Sequence, residues 1–190
     1  MTEDHQTMTL EEAFRLAGEH YSAERFVEAE NIYRQILATY PAQHSIYNIL
    51  GEISLRTGRI AEAEELLTKA VAVDPESVST LSNLAKLLTD RGRLEEAIGY
   101  CRKAIEIDPN TPEAQYNLAN ALREQGKLEE AIEHYHKALE INSAFVEAHY
   151  NLGITYRELG KIHEAISQHR KALEIRPDYA DAYTDMGHAF

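Results

Sequence analysis

The segment PEAQYNLANALREQ, residues 112–125, decides the fold. Its apolar residues Ala114, Leu118, Ala121 and Leu122 recur at helical spacing, which gives one apolar face on an otherwise polar segment. Thr111 stands at the N-cap position and Pro112 at the first helical position, where a missing N–H costs nothing. Gly126 follows and ends the helix, because glycine tolerates the positive φ of a helix C-terminus. The next segment, LEEAIEHYHKALEI, residues 128–141, sets Leu128, Ala131, Ile132, Tyr135, Ala138 and Leu139 along one side. Asn142 and Ser143 then close the pair. The reading is two short amphipathic helices joined by a glycine turn.

Working outward, the same pattern recurs along the chain. Pro41, Pro75, Pro109 and Pro177 are separated by 34, 34 and twice 34 residues, with Ser143 at the skipped place. Gly58, Gly92, Gly126 and Gly160 are each 34 apart. Taking the proline as position 32 gives repeats over 10–43, 44–77, 78–111, 112–145 and 146–179, a partial repeat over 180–190, and a tail over 1–9. The register is uninterrupted. Thr9 with Glu12 reads as a capping box ahead of the first helix. A fixed period of this length marks a stacked repeat array.

Small residues sit where helices must approach. Position 20 is Ala29, Ala63, Ala97, Ala131 and Ala165, and position 8 is Ala17, Gly51, Ala85, Ala119, Gly153 and Gly187. Position 27 is Ile36, Ala70, Ala104, Ala138 and Ala172, where the next repeat stacks. A large side chain at Ala131 should cost about 1–3 kcal/mol by overpacking.

Composition narrows the function. The chain has 190 residues, 32 acidic and 19 basic, for a net charge of -13. A duplex-binding face needs clustered cations to displace counterions, and no run of Lys and Arg on one face offers it. Nucleic acid and anionic membrane are therefore not expected partners. Cys101 is the single cysteine, so neither an intramolecular disulfide nor a cysteine-based zinc site is expected. The first residues carry acids and no apolar stretch, and no segment has the length of a membrane span. A cytoplasmic location is the simplest expectation.

The sequence Leu118-Ala119, Leu122, Gly126, Ala131, Tyr135, Ala138 resembles the tetratricopeptide repeat. So does Leu152-Gly153, Tyr156, Gly160, Ala165, Ala172, Pro177. The resemblance covers residues 10–190. Departures fall at position 4, where the family's aromatic is Tyr47 and Tyr183 but Ala13, Leu81, Gln115 and His149 elsewhere, and at Glu24, which replaces the turn glycine. The resemblance implies an all-α fold: a right-handed superhelix of antiparallel helix pairs, five full repeats plus one further helix. It implies a concave groove lined by the first helix of each pair, at positions 2, 5, 6, 9, 12 and 13.

On those positions the candidate peptide-binding residues are Asn48, Asn83, Lys86, Tyr116, Asn117, Asn120, Arg123, Tyr150, Asn151, Arg157 and Asp185. His188 falls on the same face. Position 6 reads Asn83, Asn117, Asn151, then Asp185, a row similar to that in the repeat domain of O-linked N-acetylglucosamine transferases. An amide offers both donor and acceptor, so such a row can pair with an extended peptide backbone of any sequence. The alternative is that these amides cap a helix or bond a neighbouring one, as part of the repeat consensus. Tyr116 and Tyr150 with Arg123 and Arg157 form two further rows, of residue types that dominate interface energy, though the tyrosines equally suit packing. Some relatives clamp acidic tails with a Lys at position 5. Here that position is Phe14, Asn48, Ser82, Tyr116, Tyr150 and Thr184, none basic, and Glu113, Glu147 and Asp181 line position 2. A neutral or basic extended segment is the expected ligand.

No catalytic constellation emerges. His134 and His136 are two apart and so on different helix faces. His149 and His169 fall at packing positions, and Cys101 shares position 24 with Tyr33, Leu67, Tyr135 and His169. Glu95-Glu96 and Glu129-Glu130 read as a solvated face. No metal, cofactor or enzymatic activity is expected. The chain stops at Phe190 in mid-repeat, with Tyr183, Met186 and Phe190 on its last helix. That leaves two alternatives beside a peptide-binding scaffold: a substrate-presenting region of a larger transferase, and self-association through an uncovered last helix.

Overall fold

The computed structural model describes residues 8–187, with side chains up to residue 185. Among the described residues every regular element is a helix: α1 Leu10–Ser22, α2 Phe26–Thr39, α3 His44–Arg56, α4 Ile60–Val73, α5 Val78–Asp90, α6 Leu94–Ile107, α7 Pro112–Glu124, α8 Leu128–Ile141, α9 Val146–Glu158, α10 Ile162–Ile175 and α11 Ala180–Gly187. The first helix of each pair begins at Leu10, His44, Val78, Pro112, Val146 or Ala180, on the 34-residue lattice. Met186, His188 and Phe190 as side chains lie outside the described residues.

Local chemistry sets these ends. Thr9 and Glu12 form the capping box: the Glu12 N–H donates to Thr9 Oγ1 at 3.2 Å and the Thr9 N–H to Glu12 Oε2 at 2.8 Å. After α7, the Lys127 N–H reaches the Leu122 carbonyl at 2.9 Å and the Gly126 N–H reaches the Arg123 carbonyl at 2.8 Å. This is the Schellman arrangement, and it requires Gly126 at φ 82°. Thr111 occupies the N-cap of α7 but makes no side-chain cap. Its hydroxyl donates instead to Asp108 Oδ2 at 3.0 Å, the stronger acceptor in that loop.

The chain divides into two compact units, Met1–Pro75 and Glu76–Phe190. The first holds α1 to α4. Its core gathers Ala17, Ala29, Tyr33, Ile36, Ile46, Leu50 and Ile53, with Phe14 edge-on to Tyr33 at 6.4 Å between rings. On its surface Arg59 forks onto Glu30 at 2.9 and 2.6 Å. The second holds α5 to α11. Its paired helices α5/α6, α7/α8 and α9/α10 pack in antiparallel, and α7 also touches both α5 and α9.

The small residues explain these close pairings. Ala97 and Ala131 are fully buried and Ala165 nearly so. A Cβ on Gly153 would stand 2.6 Å from the His169 ring, and one on Gly51 would stand 2.8 Å from Leu67. Both contacts are too short for a methyl group, so glycine is required there. Cys101 is buried, and burial raises its thiol pKa to about 12, which leaves no thiolate near neutrality.

Candidate functional site

In the second compact unit, α5, α7 and α9 border an open cleft of about 630 Å³. It brings together Asn83, Lys86, Tyr116, Asn117, Asn120, Arg123 and Asn151 of the expected set. Tyr150, Arg157 and Asp185 do not line it. They form a separate cluster between α9 and α11. Asn48 belongs to the first compact unit, where its Nδ2 donates to Glu52 Oε1 at 3.2 Å.

Asn117 and Asn151 are hydrogen-bond partners of neighbouring first helices. Asn117 is buried, and its Nδ2 donates to the Ser82 carbonyl of α5 at 3.1 Å. Asn151 Nδ2 donates to Tyr116 Oη at 2.8 Å and to Asn120 Oδ1 at 3.0 Å. Asn120 Oδ1 also accepts from Tyr135 Oη at 2.6 Å. The Asn117 and Asn151 side chains therefore stitch α5 to α7 and α7 to α9. Burial holds the phenols of Tyr116 and Tyr135 above the usual tyrosine range, so both stay protonated and able to donate.

Phe145 is a cleft residue that the sequence reading passed over. Its ring lies 4.9 Å from that of Tyr116, and together they make an aromatic shelf. One repeat later Tyr179 meets Tyr150 edge-on at 5.1 Å. The signal was present as two aromatics 34 residues apart, Phe145 and Tyr179, just before a first helix. The position-4 departures have a related explanation. His134 pairs with Gln115 at 2.7 Å and His149 with Gln168 at 2.8 Å, each with partners 19 residues apart. The two repeats use the same two residue types in swapped places.

The charges of the cleft are mixed and mainly acidic: Asp90, Glu113, Glu124 and Glu147 against Lys86 and Arg123. Burial raises the Asp90 carboxyl pKa, Lys86 opposes this, and Glu124 adds to it. Arg123 is 19% exposed, pairs with Glu124 at 2.7 Å, and lies 3.7 Å from Glu158. Its Nε is buried without a hydrogen-bond partner. In the neighbouring cluster Tyr150 Oη donates to Asp185 Oδ2 at 2.9 Å and Arg157 Nη1 to Asp185 Oδ1 at 2.6 Å. Burial alone would raise the Asp185 pKa, but the hydrogen bonds from Arg157 and Tyr150 hold it below the usual carboxylate range. Among the described residues no group of His, Cys, Asp and Glu is arranged to hold a metal ion, and no helix is long and apolar enough to cross a membrane.

A family model described as the tetratricopeptide repeat matches residues 20–88, 55–118 and 88–133. The chain belongs to the tetratricopeptide-repeat family. Further models of the repeat match residues 119–160 and 146–179. A comparison with curated proteins gives no significant match. Among solved structures, YrrB, a TPR protein with an unusual peptide-binding site, is 22% identical over 95% of this chain and 93% of its own, with a TM-score of 0.69. A thermophilic TPR protein of Thermus thermophilus is 22% identical over 94% of this chain and 97% of its own, with a TM-score of 0.78. The Cut9 and Hcn1 hetero-tetramer of the APC/C contains a chain that is 18% identical over 97% of this one and 37% of its own, with a TM-score of 0.89. These likenesses establish the solenoid fold. Tetratricopeptide-repeat proteins are in general scaffolds for protein interaction, and this chain is one of them.

Proposed function

We propose that the chain works by binding, without catalysis, and that its ligand is an extended protein segment held in the cleft of α5, α7 and α9. The carrying observation is the cleft itself. It is lined by three successive first helices, it offers amide and hydroxyl groups beside an aromatic shelf, and its acids outnumber its bases. An extended segment presents backbone donors and acceptors at regular intervals, which suits such a lining. The excess of Asp90, Glu113, Glu124 and Glu147 favours a neutral or basic segment and opposes a uniformly acidic one. Apolar or aromatic side chains of the segment find the Tyr116–Phe145 shelf.

The test uses an array of ten- to fifteen-residue peptides of graded charge, probed with the full chain. Peptides with net positive charge should be selected. Glu113→Lys, on an exposed side chain, should weaken those binders by about tenfold while circular dichroism stays unchanged. Binding that does not distinguish this variant from the parent would sink the assignment to the cleft.

A further inference from the structure

We infer that Tyr116 and Arg123 form a carboxylate receptor in the groove, the counterpart in the fourth repeat of the seat that Asp185 fills in the fifth. The chain carries its own demonstration. Tyr150 and Arg157 on α9 hold the Asp185 carboxylate from both sides, at 2.9 and 2.6 Å, and their hydrogen bonds lower its pKa although burial opposes this. Move every member back by 34 residues and the set is Tyr116, Arg123 and Asn151. The two donors are kept. The internal carboxylate is replaced by a neutral amide.

The consequences are visible in the hydrogen bonding. Asn151 reaches Tyr116 through its nitrogen, so Tyr116 Oη accepts there, and its own hydroxyl hydrogen is left to give. Arg123 has no carboxylate at the equivalent of Asp185. It turns instead to its chain neighbour Glu124 at 2.7 Å and to Glu158 at 3.7 Å, both substantially exposed, and its buried Nε keeps no partner. The same Arg-Glu dipeptide exists one repeat later as Arg157-Glu158, and there the arginine takes Asp185 in preference. The adjacent glutamate is thus the fallback partner, and exposed pairs of this kind are worth little. At the repeat position where the fifth repeat has Ile154, the fourth has Asn120, which lines the cleft and adds a polar group.

Both donors line the cleft, so the carboxylate must come from the bound segment. It is either an Asp or Glu side chain or the C-terminal α-carboxylate. The surrounding acids, Asp90, Glu113 and Glu147, place cationic or neutral residues on either side of it. The ligand is then a mixed-charge segment with one carboxylate. The receptor follows from the internal symmetry, whereas the statement about the ligand rests on the groove-binding reading above.

Two measurements test this separately. The first needs no ligand. Asn151→Asp places a carboxylate at the equivalent of Asp185. It should couple to Arg123 by about tenfold in the unfolding equilibrium, read by urea denaturation of N151D, R123Q and the double variant, with R123K repeating the cycle if R123Q folds poorly. Absence of coupling overturns the receptor. The second uses three fluorescent ten-residue Lys/Ala/Ser peptides against the full chain: one amidated with a single internal Asp, one without Asp and with a free C-terminus, and one with no carboxylate. At least one carboxylate peptide should bind about tenfold tighter than the third, an advantage that disappears in R123Q. The arm that gains identifies the source. Equal binding of all three overturns the ligand assignment. If none binds, the groove-binding reading fails, and the receptor stands or falls on the cycle.

Discussion

His169 is 2% exposed between α9 and α10, its ring 5.4 Å from that of Tyr150, and neither ring nitrogen has a hydrogen-bond partner. Burial lowers its pKa, Asp185 pulls the other way, and Arg157 adds to the lowering. The folded state therefore binds a proton less readily than the unfolded chain. The contribution is complete above the unfolded pKa, about 6.5, and is lost as pH falls below it. Urea denaturation at pH 7.5 and pH 5 should show a smaller acid loss for His169→Leu than for the parent. Leucine is a fitting replacement, because Leu67 fills the same position against Gly51 in the second repeat. An unchanged acid loss would refute the role. Gln115→His alone should cost about 1–2 kcal/mol by breaking the pair with His134. The double variant Q115H/H134Q copies the His149–Gln168 arrangement of the fifth repeat and should recover most of that loss in thermal melts.

At the scale of elements, the turn after α1 is built like its successors but from a different residue. Glu24 adopts φ 57°, and it is the sole non-glycine residue with positive φ among the described residues. Its N–H still reaches the Tyr21 carbonyl at 3.0 Å, and the Arg25 N–H reaches His20 at 2.9 Å. The tertiary demand for a tight turn overrides a residue that disfavours it, at a cost of about 1–2 kcal/mol. Its contact with Arg56, 3.6 Å with Glu24 77% exposed, offsets little of this. Glu24→Gly should raise stability by about 0.5–1 kcal/mol once the greater freedom of the unfolded chain is counted. A lower melting temperature would contradict that account. One carboxylate ties the last helix to α9, beside the packing of α11 on α10. Asp185→Asn should weaken the attachment of α11 to α9 by about 1–3 kcal/mol, read as faster amide exchange confined to α11.

For the whole molecule the governing facts are the period and the charge. A 34-residue lattice without insertions lets each helix pair repeat one packing solution, so the family is recognisable in the sequence at low pairwise identity. On the proposed reading, the net charge of -13 produces a field that should draw a basic segment in. Association of a basic peptide should slow by several-fold between 50 and 500 mM salt while dissociation changes less, as stopped-flow fluorescence would show. An association rate indifferent to salt would mean that the acids of the cleft do not steer the ligand.

The sequence by itself determined the helices, their ends, the buried alanines and the family. These follow from interactions within a few residues and from a pattern written several times over, so errors in one copy are corrected by the others. Only the tertiary structure decided which polar groups meet. Asn117 and Ser82, Tyr116 and Asn151, and Tyr150 and Asp185 lie on adjacent first helices, each pair 35 residues apart. Whether an amide turns to its neighbouring helix or to the groove depends on rotamers and on competing acceptors, and periodicity carries no information about either. The departures from the repeat, Asn151 against Asp185 and Gln115 against His149, were visible as letters. Their meaning emerged only when the partners that accompany each were placed beside them.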